Sequence, residues 1–542
     1  MKQLFLKIAA LSLALLLLAG CAGEKTESRS DETAEEPVPA DGQTVQPEGE
    51  ALGTTYAADD VFSLNVLFDS SFNPYRLTSA WNRVVDMLVY EPLIEIDGSF
   101  EAQPGLVTAW SSEDGLTWTF SVDTSRRFHS GASLSSIDCA YTLRMALTTD
   151  AYKERFASVA EVTTPDTASF QVRLKSVNWR FYTLMNIPCV EADTFYYDFP
   201  GGTGPYKFAA TEDMLLLDEG HPNAASMPLL RIYLKEYKTA SDILQAFESS
   251  YIDLVVNDPT SLSNLGYSKT NIIRYVDSTN MHYLGYNMQS VVMSQTAIRT
   301  AMTYIVDRSG IVSLYMSGAG VPAALPIHPN NSLYPQELAQ SLSYAPEKFS
   351  AALDSLGMVD ADGDGKLDLF SGVSALAQEL DFIVCSDSAS KVSAARRIVN
   401  EMTKAGLAVT LRELSYEDYM QALKNGDFDI YYAEIKLRPD WNISAIFRAD
   451  WSAEDSLNFS RASDQMLLSS YAQLLAAPPD GQAAAVDALC GYLAQTAPIT
   501  VVCFEKSEVL YHRGVISGME PTQDNIFNGM ETWVIDLTAG QS

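Results

Sequence analysis

Basic residues, histidine and cysteine are all scarce in this chain of 542 residues. Lysine and arginine total 36 against 69 acidic side chains, a formal charge of −33. Such a chain has no basic footprint for a nucleic-acid backbone, so no nucleic-acid partner is expected. The five histidines, at 129, 221, 282, 328 and 512, show no metal-ligand spacing, and HExxH, GxSxG and Walker-type loops are missing. The six cysteines, Cys21, Cys139, Cys189, Cys385, Cys490 and Cys503, form no CxxC pair, which sets aside zinc-ribbon and thioredoxin-like readings. No apolar run is long enough to cross a bilayer comfortably. What is present is an ordinary globular composition, 47% hydrophobic and 19% charged. At about 150 residues per domain the length implies two to four domains. The net charge favours a soluble monomer, although salt screens it beyond roughly 8 Å and it says little about a ligand inside a cleft.

The first twenty residues read as an export signal. Lys2 and Lys7 form a positive start, and Ile8 to Leu18 is an apolar run of signal-peptide length. Leu18-Ala19-Gly20-Cys21 then looks like a bacterial lipobox, in which the Cys21 thiol receives the lipid. Acyl chains at about 0.8 kcal/mol per buried CH₂ would hold the protein to a membrane without a spanning helix. From Ala22 to Glu50 the chain carries nine acidic and two basic residues, several prolines and almost no bulky apolar side chains, the composition of a disordered tether. Loss of the two signal lysines makes the mature charge −35, of which the tether holds −7, leaving −28 on the body. With Cys21 lipidated, five cysteines remain, and they read better as small buried hydrophobes than as a disulfide framework.

Beyond the tether, strands alternate with helices. Asp114-Gly115 signals a turn, and Trp118, Phe120 and Val122 alternate as in a half-buried strand, as do Phe170, Val172 and Leu174. Ile298, Met302, Ile305 and Val306 recur at helical spacing, predicting an amphipathic helix over residues 296–315 with Arg299 and Asp307 towards its polar side. The fold class is α/β, and no internal repeat is evident.

Three motifs hint at chemistry. Ser388-Ala389-Ser390-Lys391 fits SxxK, an arrangement that activates a serine hydrolase, but no KTG accompanies it. Gly201-Gly202-Thr203-Gly204 is followed by Pro205 where a phosphate loop needs donor groups, and reads as a turn. Asp360, Asp362, Asp364, Gly365 and Asp368 form a DxDxDGxxD run that could surround calcium. Ser371 stands where the bidentate glutamate belongs, and the competing reading is a solvated loop after a helix ending near Gly357. No other metal and no cofactor is expected.

The order of several segments resembles the peptide-type (oligopeptide/dipeptide-binding) substrate-binding lipoproteins of bacterial ABC importers. The matching parts are Tyr90-Glu91-Pro92-Leu93, Pro104-Gly105-Leu106 with Trp110, Asp114 to Phe120, and Phe128-His129-Ser130-Gly131. Then come Gly202 to Phe208, Tyr283 to Asn287, Arg299 to Ile311, and Pro346-Glu347-Lys348, so that the similarity covers roughly residues 57–535. The resemblance implies a two-lobed periplasmic-binding-protein-like fold with a hinge. The larger lobe would comprise residues 57–83, 200–285 and 501–542, with an extra subdomain at 84–199 and a second lobe at 286–500, after a signal at 1–20 and a tether at 21–56. It implies capture of a peptide or similar small solute between the lobes, and delivery to the importer's permease subunits outside the cytoplasmic membrane. No covalent chemistry is needed, so no enzyme is expected. The alternatives are a sensory or signalling lipoprotein that uses the same fold without transport and, as an outsider, a hydrolase built on Ser388.

For the ligand site, the resemblance points to Asn73 and Tyr75, to Tyr286, Asn287 and Met288, and to Glu434, Lys436, Arg438, Asp440 and Trp441. Core packing competes for Tyr286. In the peptide binders a W-x-x-D-Y-x-D-P stretch carries an aspartate for the ligand ammonium. Here Trp441 comes late, Lys436 and Arg438 are introduced and Asp440 does not align with that aspartate, which puts recognition of a free peptide N-terminus in doubt. Arg438 either presents its planar fork to an anionic group on the ligand or pairs internally with Glu434 or Asp440.

Overall fold

The computed structural model describes residues 61–537 and 539, except 261–264, 266–270, 372–373, 377–378 and 454–455. Cys21 and the acidic segment after it lie outside the described residues. So does residue 60 and everything before it.

Two long antiparallel strands, Asn271–Tyr286 and Ile499–His512, run through the hydrophobic cores of both lobes. Their β-branched and aromatic residues suit a pleated, buried surface. At one end Val276, Val509 and Tyr511 pack with Phe62, Leu64, Phe120 and Phe170. At the other end Leu284, Tyr286, Val502 and Cys503 pack with Ile298, Phe349, Phe382 and Ile398. Between the cores the register slips from Asp277 to Met281, and the Ser278 hydroxyl donates to the Glu505 carbonyl at 2.8 Å. An irregularity of this kind bends a strand pair, so the two strands form a waist between two lobes.

These strands are central in an eleven-stranded mixed sheet. Its order is Ala408–Leu414, Glu379–Cys385, Ile430–Lys436, Asn271–Tyr286, Ile499–His512, Leu254–Asn257, Ser63–Val66, Arg231–Glu236, Met214–Leu217 and Tyr206–Phe208, with Gly320–Pro322 on the edge of Ile499–His512. In the second lobe Glu379–Cys385 pairs in parallel with both neighbours, and the helix Ala389–Lys404 makes the crossover that parallel pairing requires. A separate four-stranded antiparallel sheet, Val107–Ser111, Thr117–Val122, Ser169–Leu174 and Val159–Asp166, holds the alternating residues of the sequence. Trp118, Phe120, Val122, Phe170, Val172 and Leu174 are all buried there.

The motif segments meet in space. Arg126 and Glu91 form an ion pair, and the His129 ring lies 2.9 Å from the Gly204 carbonyl. Gly202 and Gly204 press against the end of the helix Ala80–Val89. A Cβ on Gly202 would come within 2.2 Å of the Val89 carbonyl, which is why the run carries glycines and is no phosphate cradle.

Residues 296–315 are not one helix. Thr296–Met302 is helical, a 3₁₀ turn covers Thr303–Ile305, and a second helix, Arg308–Tyr315, begins afresh because the Asp307 carboxylate caps the Gly310 N–H at 3.0 Å. Arg299 is buried and not on a polar face, its guanidinium donating to the carbonyls of Met293, Ser294, Thr496 and Ala497. Cys139, Cys189, Cys385, Cys490 and Cys503 are all unbonded, and all but Cys385 are buried.

Candidate interlobe binding site

The lobes touch through polar contacts and through a buried apolar cluster in which Ile96 and Phe100 join Leu325, Trp441 and Phe504. Arg180 donates to Gln482 Oε1 (3.0 Å) and to the Pro439 carbonyl (3.4 Å), and the Trp179 N–H donates to the Leu475 carbonyl (2.7 Å). Asn331 donates to the Ser99 carbonyl and to Glu101, while Phe100 places its ring edge-on to Trp441 at 5.6 Å. Near the waist, the Ser388 hydroxyl donates to the Thr260 carbonyl at 2.6 Å.

Behind that contact is a buried charged cluster. Lys391 Nζ lies 2.6 Å from Glu434 Oε2, His282 Nε2 lies 3.4 Å from Glu434 and 3.3 Å from Glu505, and Asn280 donates to Glu505 at 2.6 Å. Burial opposes ionisation of Glu434, but Lys391 and His282 outweigh it and hold the carboxyl at about 2. Burial likewise opposes charge on His282, and Glu434 and Glu505 reverse that, raising it. Asp258, buried and hydrogen-bonded beside Glu505, is pushed up to about 8 and keeps its proton at neutral pH. His282, Glu434 and Glu505 converge closely enough to share a cation, but the Lys391 ammonium already supplies that charge. The same ion pair removes the SxxK reading, because an ammonium held by a carboxylate cannot act as a base on Ser388, whose hydroxyl caps the helix Ala389–Lys404.

Most of the candidate ligand residues have internal partners. Asn73 donates to the carbonyls of Phe195 and Tyr197, and the Tyr75 hydroxyl donates to the Pro188 carbonyl. Tyr286, fully buried, meets the Thr500 hydroxyl at 2.6 Å, and Asn287 holds the carbonyls of Gly426 and Phe428. Met288 packs on the second core, and Trp441 is buried between Phe100 and Phe504. These side chains build the walls.

Lys436, Arg438 and Asp440 behave differently. Lys436 ends its strand opposite Asn280, and the next N–H, of Leu437, donates to the Thr279 carbonyl. The Lys436 side chain is exposed. Desolvation lowers its affinity for a proton, Asp524 opposes that, and the nearby Arg83 and Arg155 add to it. Arg155 is likewise lowered by desolvation, with Asp524 and Asp440 countering and Arg438 repelling. The internal pairing of Arg438 with Glu434 or Asp440 does not form. Glu434 faces Lys391 and His282, and the Asp440 carboxylate accepts the Asn442 N–H at 3.1 Å. Arg83, Arg155 and Asp524 had no signal in the local sequence, since only the tertiary fold brings residues 83, 155, 438 and 524 to one place.

Asp360, Asp362 and Asp364 are exposed and lie close together, with carboxylates accepting the N–H groups of Gly363, Gly365, Asp364 and Lys366, as a solvated Asp/Gly loop does. A depression of about 240 Å³ opens elsewhere on the second lobe, between Asp307, Pro322, Tyr334 and Tyr344. Its floor is Arg308, whose guanidinium is taken up by the carbonyls of Thr303, Ala323, Leu342 and Val501.

Two mixed α/β lobes on a bent pair of strands, with polar groups facing each other across the gap, define a solute-binding fold of the periplasmic type. The chain belongs to the bacterial extracellular solute-binding proteins, family 5, whose model matches residues 101–448. An ABC transporter peptide-binding protein of Brucella ovis is 24% identical over 320 residues, covering 55% of this chain and 59% of that protein, so the alignment spans about three fifths of its length. The oligopeptide-binding protein AppA of Bacillus subtilis is 22% identical over 464 residues, 79% of this chain and 80% of AppA. In structure, the substrate-binding protein CtaP of Listeria monocytogenes superposes with a TM-score of 0.72 at 16% identity, covering 88% of this chain and all of CtaP. No helix among the described residues is long and apolar enough to cross a membrane.

Proposed function

We propose that this chain is a lipid-anchored capture protein that closes its lobes around a peptide or similar small solute and delivers it to an ABC importer permease. The single observation that supports this best is the waist: two long strands shared by both lobes, with a register irregularity between Asp277 and Met281. A ligand that touches both lobes does so only when they close, so its extra affinity for the closed state shifts the population there. Nothing in this sequence of events breaks a bond in the solute. Diacylglyceryl on Cys21 would hold the protein at the outer face of the membrane, and the acidic tether would let a monomeric body reach the permease. The test is native mass spectrometry of the full chain solubilised from membranes, followed by calorimetry with whatever small molecule it carries. Micromolar or tighter binding of one molecule per chain is expected, and no retained molecule together with no binding of any peptide contradicts the reading.

A further inference from the structure

Four cations approach the space between the lobes from both sides. Arg83 projects from the exposed face of the helix Ala80–Val89, and Arg155 lies against the rings of Tyr152 and Phe156 at 5.9 and 5.6 Å. Lys436 and Arg438 come from the end of the strand Ile430–Lys436 and the segment after it. Hydrogen bonds link Arg155 to the backbone beside Lys436. Arg155 donates to Asn186 Oδ1, Asn186 donates to Asp524 at 2.5 Å, and the neighbouring Gln523 accepts the Thr279 N–H at 2.5 Å, beside the backbone bond to Leu437. On the other flank Arg180 holds the carbonyl of Pro439, the residue between Arg438 and Asp440.

Among the described residues none of these four cations has an ion-pair partner within 4 Å, and Arg155 Nε is buried without a hydrogen-bond acceptor. The carboxylates facing them are Asp440 and Asp524, two against four. Asp86, one turn along from Arg83, is buried with neither carboxylate oxygen hydrogen-bonded, and that burial disfavours its charged form, so it is a poor counter-charge for Arg83. The excess stands out in a body whose net charge is −28. Gathering like charges costs free energy unless a counter-charge enters with them, and water reaching Arg83 and Lys436 reduces that cost without removing it.

We propose that the captured solute carries at least two carboxylate groups, gripped by Arg83 and Arg155 from the first lobe and by Lys436 and Arg438 from the second. This rests on the solute-capture reading and names the class of its ligand. Mutual repulsion of the four cations holds the unloaded lobes apart, and the anion cancels it, so that charge itself is the closing signal. Each Arg fork suits a carboxylate bidentately, and Lys436 acts as a point charge.

The experiment measures melting temperature and calorimetric affinity of the full chain with triglutamate, citrate, trialanine and trilysine, in the wild type, Lys436→Gln and Arg438→Gln. Triglutamate or citrate raises the melting temperature, trilysine does not, and each variant binds the anion about tenfold to a hundredfold more weakly. Triglutamate against citrate separates an acidic peptide from a free polycarboxylate. If trialanine or trilysine binds as well as triglutamate, or the variants bind the anions unchanged, the anion assignment falls and solute capture stands. If none of the four probes binds, and a neutral or cationic molecule co-purifies instead, only the anion assignment falls. If nothing binds or co-purifies, both fall.

Discussion

The Lys391 ammonium lies 2.6 Å from the Glu434 carboxylate, which is held in turn by His282 on the waist strand. This pair joins the helix after Ser388 to the strand Ile430–Lys436, which pairs with the waist strand Asn271–Tyr286. Glu434→Gln leaves Lys391 buried without its partner, a loss of about 3–5 kcal/mol. Urea unfolding should show a midpoint shift of that size, and a shift below about 1 kcal/mol would mean the pair is solvated and structurally idle.

Ser388→Ala removes a helix cap and the bond to the Thr260 carbonyl. About 1 kcal/mol of stability should be lost. Esterase and amidase screens should give the same background for wild type and variant. Hydrolysis present in the wild type and lost in Ser388→Ala would contradict the assignment of the serine to structure.

The waist cluster also fixes a pH profile. Asp258 and His282 are both raised in the folded protein, so their contribution is complete at low pH and is lost as pH rises through the folded values, about 8 for Asp258. Glu434 is lowered to about 2, so its contribution is lost only as pH falls below the ordinary carboxylate range. Stability should therefore fall between about pH 5 and 8, by at most about 1.4 kcal/mol per pH unit for each proton released. Asp258→Asn, which mimics the protonated acid, should flatten that slope. A wild-type melting temperature that is level from about pH 5 to 8 would contradict the raised Asp258.

Gly202→Ala forces a Cβ into the Val89 carbonyl. The clash is with backbone at the end of the helix that carries Arg83, and overpacking of this kind costs about 1–3 kcal/mol. Thermal melting of the variant checks it, and an unchanged midpoint would show that the contact relaxes freely.

The sequence displayed the scaffold more clearly than the site, for a physical reason. Trp118, Phe120 and Val122 announce their strand because burial on one face imposes a period of two. Charged cleft residues obey no such period, and Arg83, Arg155, Lys436 and Asp524 meet only because the bent strands bring distant segments together. Asn73, Tyr75, Tyr286 and Asn287 show the converse. Their polar groups are chemically suited to a ligand, but backbone carbonyls already occupy them. Arg299 looked solvent-facing by helical spacing and is instead buried against four carbonyls, since the helix breaks at Asp307 and the first segment turns inwards. In the stretch after Glu434, a peptide ammonium site is doubtful because Trp441 comes late, Asp440 does not align with the family's aspartate and Lys436 and Arg438 are introduced, and among the described residues neither of these two cations forms an ion pair within 4 Å.

The central claim is that two lobes close on a guest, and solution scattering of the full chain with and without its co-purified solute tests it most directly. Saturation should shrink the radius of gyration and sharpen the distance distribution, with Lys436→Gln needing more solute to reach the same curve. Superimposable curves at zero and saturating solute would contradict the account.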